Sequence, residues 1–166
     1  MKPTIINRTF HIPRFLFQNR GGFTLIETIV ALGIVVIMAV VIIVALNPAR
    51  QFAKSRNTQR WSDVNVILNA VGQNTFDNRG TFSCASGGIP TTTTRMASSS
   101  PNYNIAPCLI TTYLNALPFD PSTSGAKWGS VTNYDTAYNI IRNATTGRVT
   151  ISAPAAEVGA SVSSTR

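Results

Sequence analysis

A chain of 166 residues has room for one modest globular domain and a membrane segment, but not for a second large domain. Its formal charge of +8 is unevenly placed: residues 1–22 carry Lys2, Arg8, Arg14 and Arg20 and no acid. Without them, lysine plus arginine falls from 14 to 10 against the same 6 acids, leaving +4, so much of the basic character belongs to a leader and not to a nucleic-acid surface.

After this leader, without a clean period of its own, come Gly21-Gly22 and then Phe23-Thr24-Leu25-Ile26-Glu27. From Thr28 to Leu46 the chain runs 19 residues without a charge, enough to span a hydrocarbon core of about 30 Å. A secretory signal peptide has a short apolar core followed by small residues. Here the run is too long, and the small residues precede it, so a cut after Gly22 leaves the membrane segment on the mature chain. Glu27 is a lone acid near the start of this segment. Such an acid costs roughly 2.5–3.5 kcal/mol in hydrocarbon, which implies a waiting partner. Basic residues flank the span on both sides, and the leader's amino group together with Asp63 tilts the orientation toward a cytoplasmic N-terminus.

Asn47-Pro48 interrupts the helical run. The pair either starts a new helix, with Asn as cap and Pro at the first position, or kinks a continuous one. From Ala49 to about Phe76 the pattern is amphipathic: Val64, Ile67, Leu68 and Val71 follow i, i+3, i+4, i+7 spacing, with Phe52 and Trp61 extending the apolar surface. Asp77-Asn78-Arg79-Gly80 reads as the helix end, Gly80 being suited to a left-handed cap.

Composition then changes sharply, with serine and threonine making up 26 of the last 86 residues. Residues 91–94 and 98–100 read as loop, and Leu109–Leu117 as a short helix stopped by Pro118. The segments 137–141 and 148–152 read as strands joined through Thr145-Thr146-Gly147 into an antiparallel hairpin. Cys84 and Cys108 form an even pair, which in an exported domain normally closes a disulfide and contributes roughly 3 kcal/mol. Two free thiols are the alternative if the domain stays in the cytoplasm. The fold class is therefore α+β: a long N-terminal helix, apolar in its first half and amphipathic in its second, with a small antiparallel β head.

Gly22-Phe23-Thr24-Leu25-Ile26-Glu27 before an apolar helix resembles the type III signal sequence of bacterial type IV pilins and type II secretion pseudopilins. Leu117-Pro118-Phe119-Asp120-Pro121 also looks like a Pro-x-Asp-Pro turn found in some heads of that family. Members often place a helix-kinking proline where this chain has Val44; here the first is Pro48. The resemblance implies that a prepilin peptidase cuts between Gly22 and Phe23 and N-methylates Phe23. It further implies that Glu27 pairs with a neighbouring subunit's Phe23 ammonium during assembly.

Four parts follow: a leader (1–22) removed by the peptidase, a transmembrane and assembly helix (23–46), an amphipathic helix of the head (47–80), and a disulfide-closed β-rich head (81–166). The implied function is a structural subunit of a type IV pilus-like filament. It is held as a single-pass protein in the inner membrane lipid bilayer, then polymerised with identical or related pilin subunits by an assembly platform with a separate ATPase. The filament would be extracellular or periplasmic. The alternatives are a type II secretion pseudopilin and a DNA-binding competence pilin.

An enzyme has little material to work with. The only histidine, His11, lies in the leader, and the two cysteines are expected to be tied together. No cofactor and no metal site are expected, although Asp120 and Asp135 are conceivable as a calcium pair. Arg50, Lys54, Arg56 and Arg60 form a basic cluster, read chiefly as a solvated helix face and secondarily as a contact for anionic lipid or DNA. Asn143-Ala144-Thr145 matches a glycosylation acceptor, and Tyr103, Tyr113, Tyr134, Tyr138 and Trp128 read as head core.

Overall fold

A computed structural model describes residues 21–166; the leader residues Lys2, Arg8, His11, Arg14 and Arg20 lie outside the described residues. The chain divides into two compact units between Ala45 and Leu46. In the first, α1 (Leu25–Leu46) is apolar on every face beyond its first turn, and its residues are exposed among the described residues. It is long and apolar enough to cross a membrane.

The second unit opens at a cap. Asn47 takes a left-handed backbone (φ 42°), and its side-chain oxygen accepts the Arg50 N–H. Pro48 then starts α2 (Pro48–Asp77), where its missing N–H costs nothing. Of the two readings of Asn47-Pro48, the start of a new helix is the one observed. Val64, Ile67, Leu68 and Val71 form the buried stripe of α2. At its C-terminus Gly80 (φ 88°) donates to the Thr75 carbonyl, closing the last turn as a left-handed glycine can.

The α2 stripe packs against a five-stranded antiparallel sheet made of β1 (Thr94–Ala97), β2 (Lys127–Ser130), β3 (Asn133–Arg142), β4 (Val149–Ala153) and β5 (Val162–Thr165). The order β1-β3-β4-β5 is completed by β2, which pairs with the start of β3 while β4 pairs with its end. Alternate residues of β3, from Tyr134 through Thr136 and Tyr138 to Ile140, point into the core, as a period of two requires. Ile151 and Val162 extend that face across β4 and β5. Tyr103, Tyr134 and Tyr138 are core residues, and Tyr113 and Trp128 pack at its margin. The β3–β4 hairpin turns where Asn143 Oδ1 accepts the N–H groups of Thr145 and Thr146, with Gly147 at φ 71°.

The short helix falls elsewhere than expected. α3 spans Ala106–Leu109, and the chain leaves it at Thr111, whose φ of 75° no helix accommodates. Beyond this point Leu114 returns its N–H to the Leu109 carbonyl as a turn, so Leu109–Leu117 is not helical. Thr94, expected in a loop, instead begins β1. Cys84 and Cys108 are joined, tying the segment after α2 to α3. Replacing both with serine is expected to cost roughly 3 kcal/mol, read as a lower urea midpoint. An unchanged midpoint would show that the pair contributes nothing to the head.

Candidate assembly site

Residues 21–24 precede α1 without helical structure and are exposed, Phe23 at 81%. Among the described residues, a side chain built at Gly21 or Gly22 meets nothing within 4 Å. Thr24 starts the helix: its Oγ1 accepts the Glu27 N–H at 3.3 Å, and its carbonyl accepts the Thr28 N–H. Thr24-Leu25-Ile26-Glu27 thus has the spacing of a capping box, with only the threonine half made. The Glu27 carboxylate, in the first turn, has no hydrogen bond or ion pair among the described residues. Thr24 was missed by sequence reasoning, although a threonine three residues before a glutamate at a helix start is its signal.

A family model described as the prokaryotic N-terminal methylation motif matches residues 17–44. The chain carries the type IV pilin and pseudopilin signal motif. Curated proteins and solved structures give no match to it. The motif is that of a type IV pilin-like or pseudopilin precursor, and with the apolar α1 it marks a membrane anchor.

In the globular unit the basic cluster comes apart, which corrects the reading of it as a solvated face. Only Arg50 and Lys54 are exposed. Arg60 lies four residues before Val64, on the buried stripe of α2, and is 0% exposed. Its five N–H donors are all used. Nε and Nη2 grip Asp120 at 2.6 and 3.2 Å, and Nη2 also reaches Ser122 Oγ. Nη1 reaches Asn57 Oδ1 at 2.7 Å and Glu157 Oε2 at 3.0 Å. Arg56 adds two bonds to the Glu157 carboxylate. Asn57 holds the backbone of Glu157 through both its N–H and its C=O. Arg56 and Arg60 are therefore structural clamps that fasten two loops to α2, and they present no free charge to lipid or DNA.

The acids follow the same logic. Asp120, in the Pro-x-Asp-Pro segment, also accepts the backbone N–H groups of Ser122 and Thr123. Burial alone pushes its carboxyl up, but the Arg60 guanidinium and these N–H groups outweigh burial and hold it at about 2. Glu157 is likewise held at about 2, by Arg56 first and Arg60 second. Asp135 pairs with Arg95 and accepts the Ala137 N–H. The conceived calcium pair is thus two separate ion pairs, and no metal-grade cluster occurs among the described residues. Asp63 accepts from Tyr138 and Asp77 from Tyr113.

Removing one partner of a buried pair strands the other charge, so Arg60→Met is expected to cost about 3–5 kcal/mol. Arg50→Ala, exposed and unpaired among the described residues, is expected to stay within about 0.5 kcal/mol. Because Asp120 titrates lower when folded than unfolded, its contribution is fully present above about pH 4 and lost as pH falls toward 2. Urea unfolding from pH 5 to 2 checks both effects, and equal losses in the two variants would remove the clamp.

Proposed function

We propose that this chain is a structural subunit of a type IV pilus-like filament, anchored in the bacterial inner membrane and polymerised through its apolar helix. The observation that carries this reading is the state of Glu27. Each of the five acids beyond α1 has a partner inside the globular unit, and Glu27 has none among the described residues.

On this reading prepilin peptidase cuts Gly22–Phe23, removing residues 1–22, and methylates the new Phe23 amine. The cut creates a cation four residues from Glu27. Within one subunit, an acid at the third helical position and an amine before the cap do not easily meet. Between subunits, staggered α1 helices bring one subunit's carboxylate to the next one's amine. In hydrocarbon the pair relieves two desolvated charges at once and fixes the axial register. Residues 23–46 then form the filament core, and residues 47–80 and 81–166 form the head, outside the cell or in the periplasm.

The assembly platform and its ATPase, identical or related subunits, and the bilayer are the partners this implies. Arg50 and Lys54, the first cations after the span, suit anionic headgroups. A type II secretion pseudopilin shares all these features, and co-encoded secretion-channel components would favour it. With Arg56 and Arg60 committed to the clamp, the cluster proposed for a DNA-binding competence pilin loses half its charges.

Glu27→Ala is expected to leave the Gly22–Phe23 cut and a methylated Phe23 intact, as read by mass spectrometry of the mature N-terminus. The same variant is expected to lower filament yield by about tenfold or more, since the pair offsets roughly 2.5–3.5 kcal/mol of desolvation. Normal yield would sink the pairing, and a chain retaining Met1 would sink the class.

A further inference from the structure

The ten lysines and arginines of residues 46–166 face five acids, a balance of +5. Arg56, Arg60 and Arg95 are in ion pairs, and no other lysine or arginine of this unit is in one among the described residues. Three of the unpaired arginines, Arg79, Arg142 and Arg166, line a single open groove of about 830 Å³. Its apolar lining includes Leu68, Val149 and Phe76, the last 85% exposed. Arg166 donates one N–H to Asn69 Oδ1 at 2.8 Å, whereas Arg79 and Arg142 have no side-chain partner among the described residues, and the head's core closes without the exposed Phe76.

Both walls of the groove are held in place. α2 forms one wall, while the segment around Phe82 is fastened by Asn74, which takes the Ser83 N–H and donates to the Ser83 carbonyl. The Cys84–Cys108 bond holds the same segment from its other side. A groove of this size with an apolar lining and a few charged groups is the usual form of a ligand site.

We propose that this groove binds an acidic peptide segment of a different protein, one that alternates carboxylates with large apolar side chains. The apolar side chains cover Leu68, Val149 and Phe76, and the carboxylates meet Arg79, Arg142 and Arg166, whose planar forks suit carboxylate oxygens. A second copy of this head is a poor occupant, because its five acids are all engaged internally. Nucleic acid is also disfavoured: phosphates would satisfy the arginines, but a sugar–phosphate chain leaves the apolar lining uncovered.

The test uses the full chain in phosphatidylcholine nanodiscs and a fluorescein-labelled hexapeptide alternating glutamate with leucine and phenylalanine. Saturable binding that weakens with added salt is expected. Arg142→Gln with Arg166→Gln is expected to lower affinity by about tenfold or more, with a melting temperature lowered by no more than the loss of the one exposed Arg166–Asn69 hydrogen bond allows. Arg148→Gln, outside the groove lining, is expected to leave affinity within about twofold. A hexapeptide with glutamine for glutamate, or with serine for the apolar residues, is expected to bind far more weakly. Absent binding, equal binding of either control peptide, or indifference to the double variant would overturn the proposal. Preferential binding of a single-stranded thymidine oligonucleotide through the same arginines would also overturn it.

Discussion

A carboxylate near the start of an apolar helix needs a counter-charge, and Glu27 has none among the described residues. Glu27 is one of six acids, and the other five are held by arginines or tyrosines of the globular unit. Thr24 takes up the Glu27 backbone N–H and so begins α1, yet leaves the carboxylate unengaged. Local structure thereby keeps that charge at the helix start and available. Under the proposed function, the missing cation appears only when the Gly22–Phe23 bond is cut, which makes processing the switch for assembly. On that proposal the uncut chain remains unassembled, because its future partner is still an amide.

The globular unit is organised around the opposite solution. Arg60 is buried, but it is surrounded by enough acceptors to use every donor it has. Through Asp120 and Glu157 it ties the Pro-x-Asp-Pro loop and the segment before β5 to α2. A guanidinium serves here because its planar fork can hold two carboxylates and an amide at once. The price is that the acids are consumed internally and the outer surface is left cationic. The groove beside Phe76 belongs to that surplus.

Sequence reasoning worked best where a pattern is carried by neighbours along the chain. The α1 run, the Val64–Ile67–Leu68–Val71 stripe, the Gly80 helix end and the Thr145–Gly147 hairpin are all local, and each lies where expected. It failed where position is decided by distant partners. Arg60 reads as one more surface cation until Asp120, sixty residues later, arrives to bury it. Its place on the α2 stripe, one turn before Val64, was the available hint. β1, β2 and β5 are four residues each and largely polar, too short for a period of two to register. Thr111 bars a helix that its apolar neighbours favour, since a left-handed residue is invisible to hydrophobic spacing.

The pairing of Glu27 with a processed Phe23 is tested most directly in filaments assembled from two labelled pools. One pool carries ¹⁵N at the Phe23 amine, and the other carries ¹³C at the Glu27 side-chain carboxylate. Solid-state NMR then reports only contacts between different subunits. A cross-peak corresponding to a hydrogen-bonded ion pair, about 3–4 Å between nitrogen and carboxyl carbon, is the expected result. Well-ordered mixed filaments without that cross-peak would contradict it.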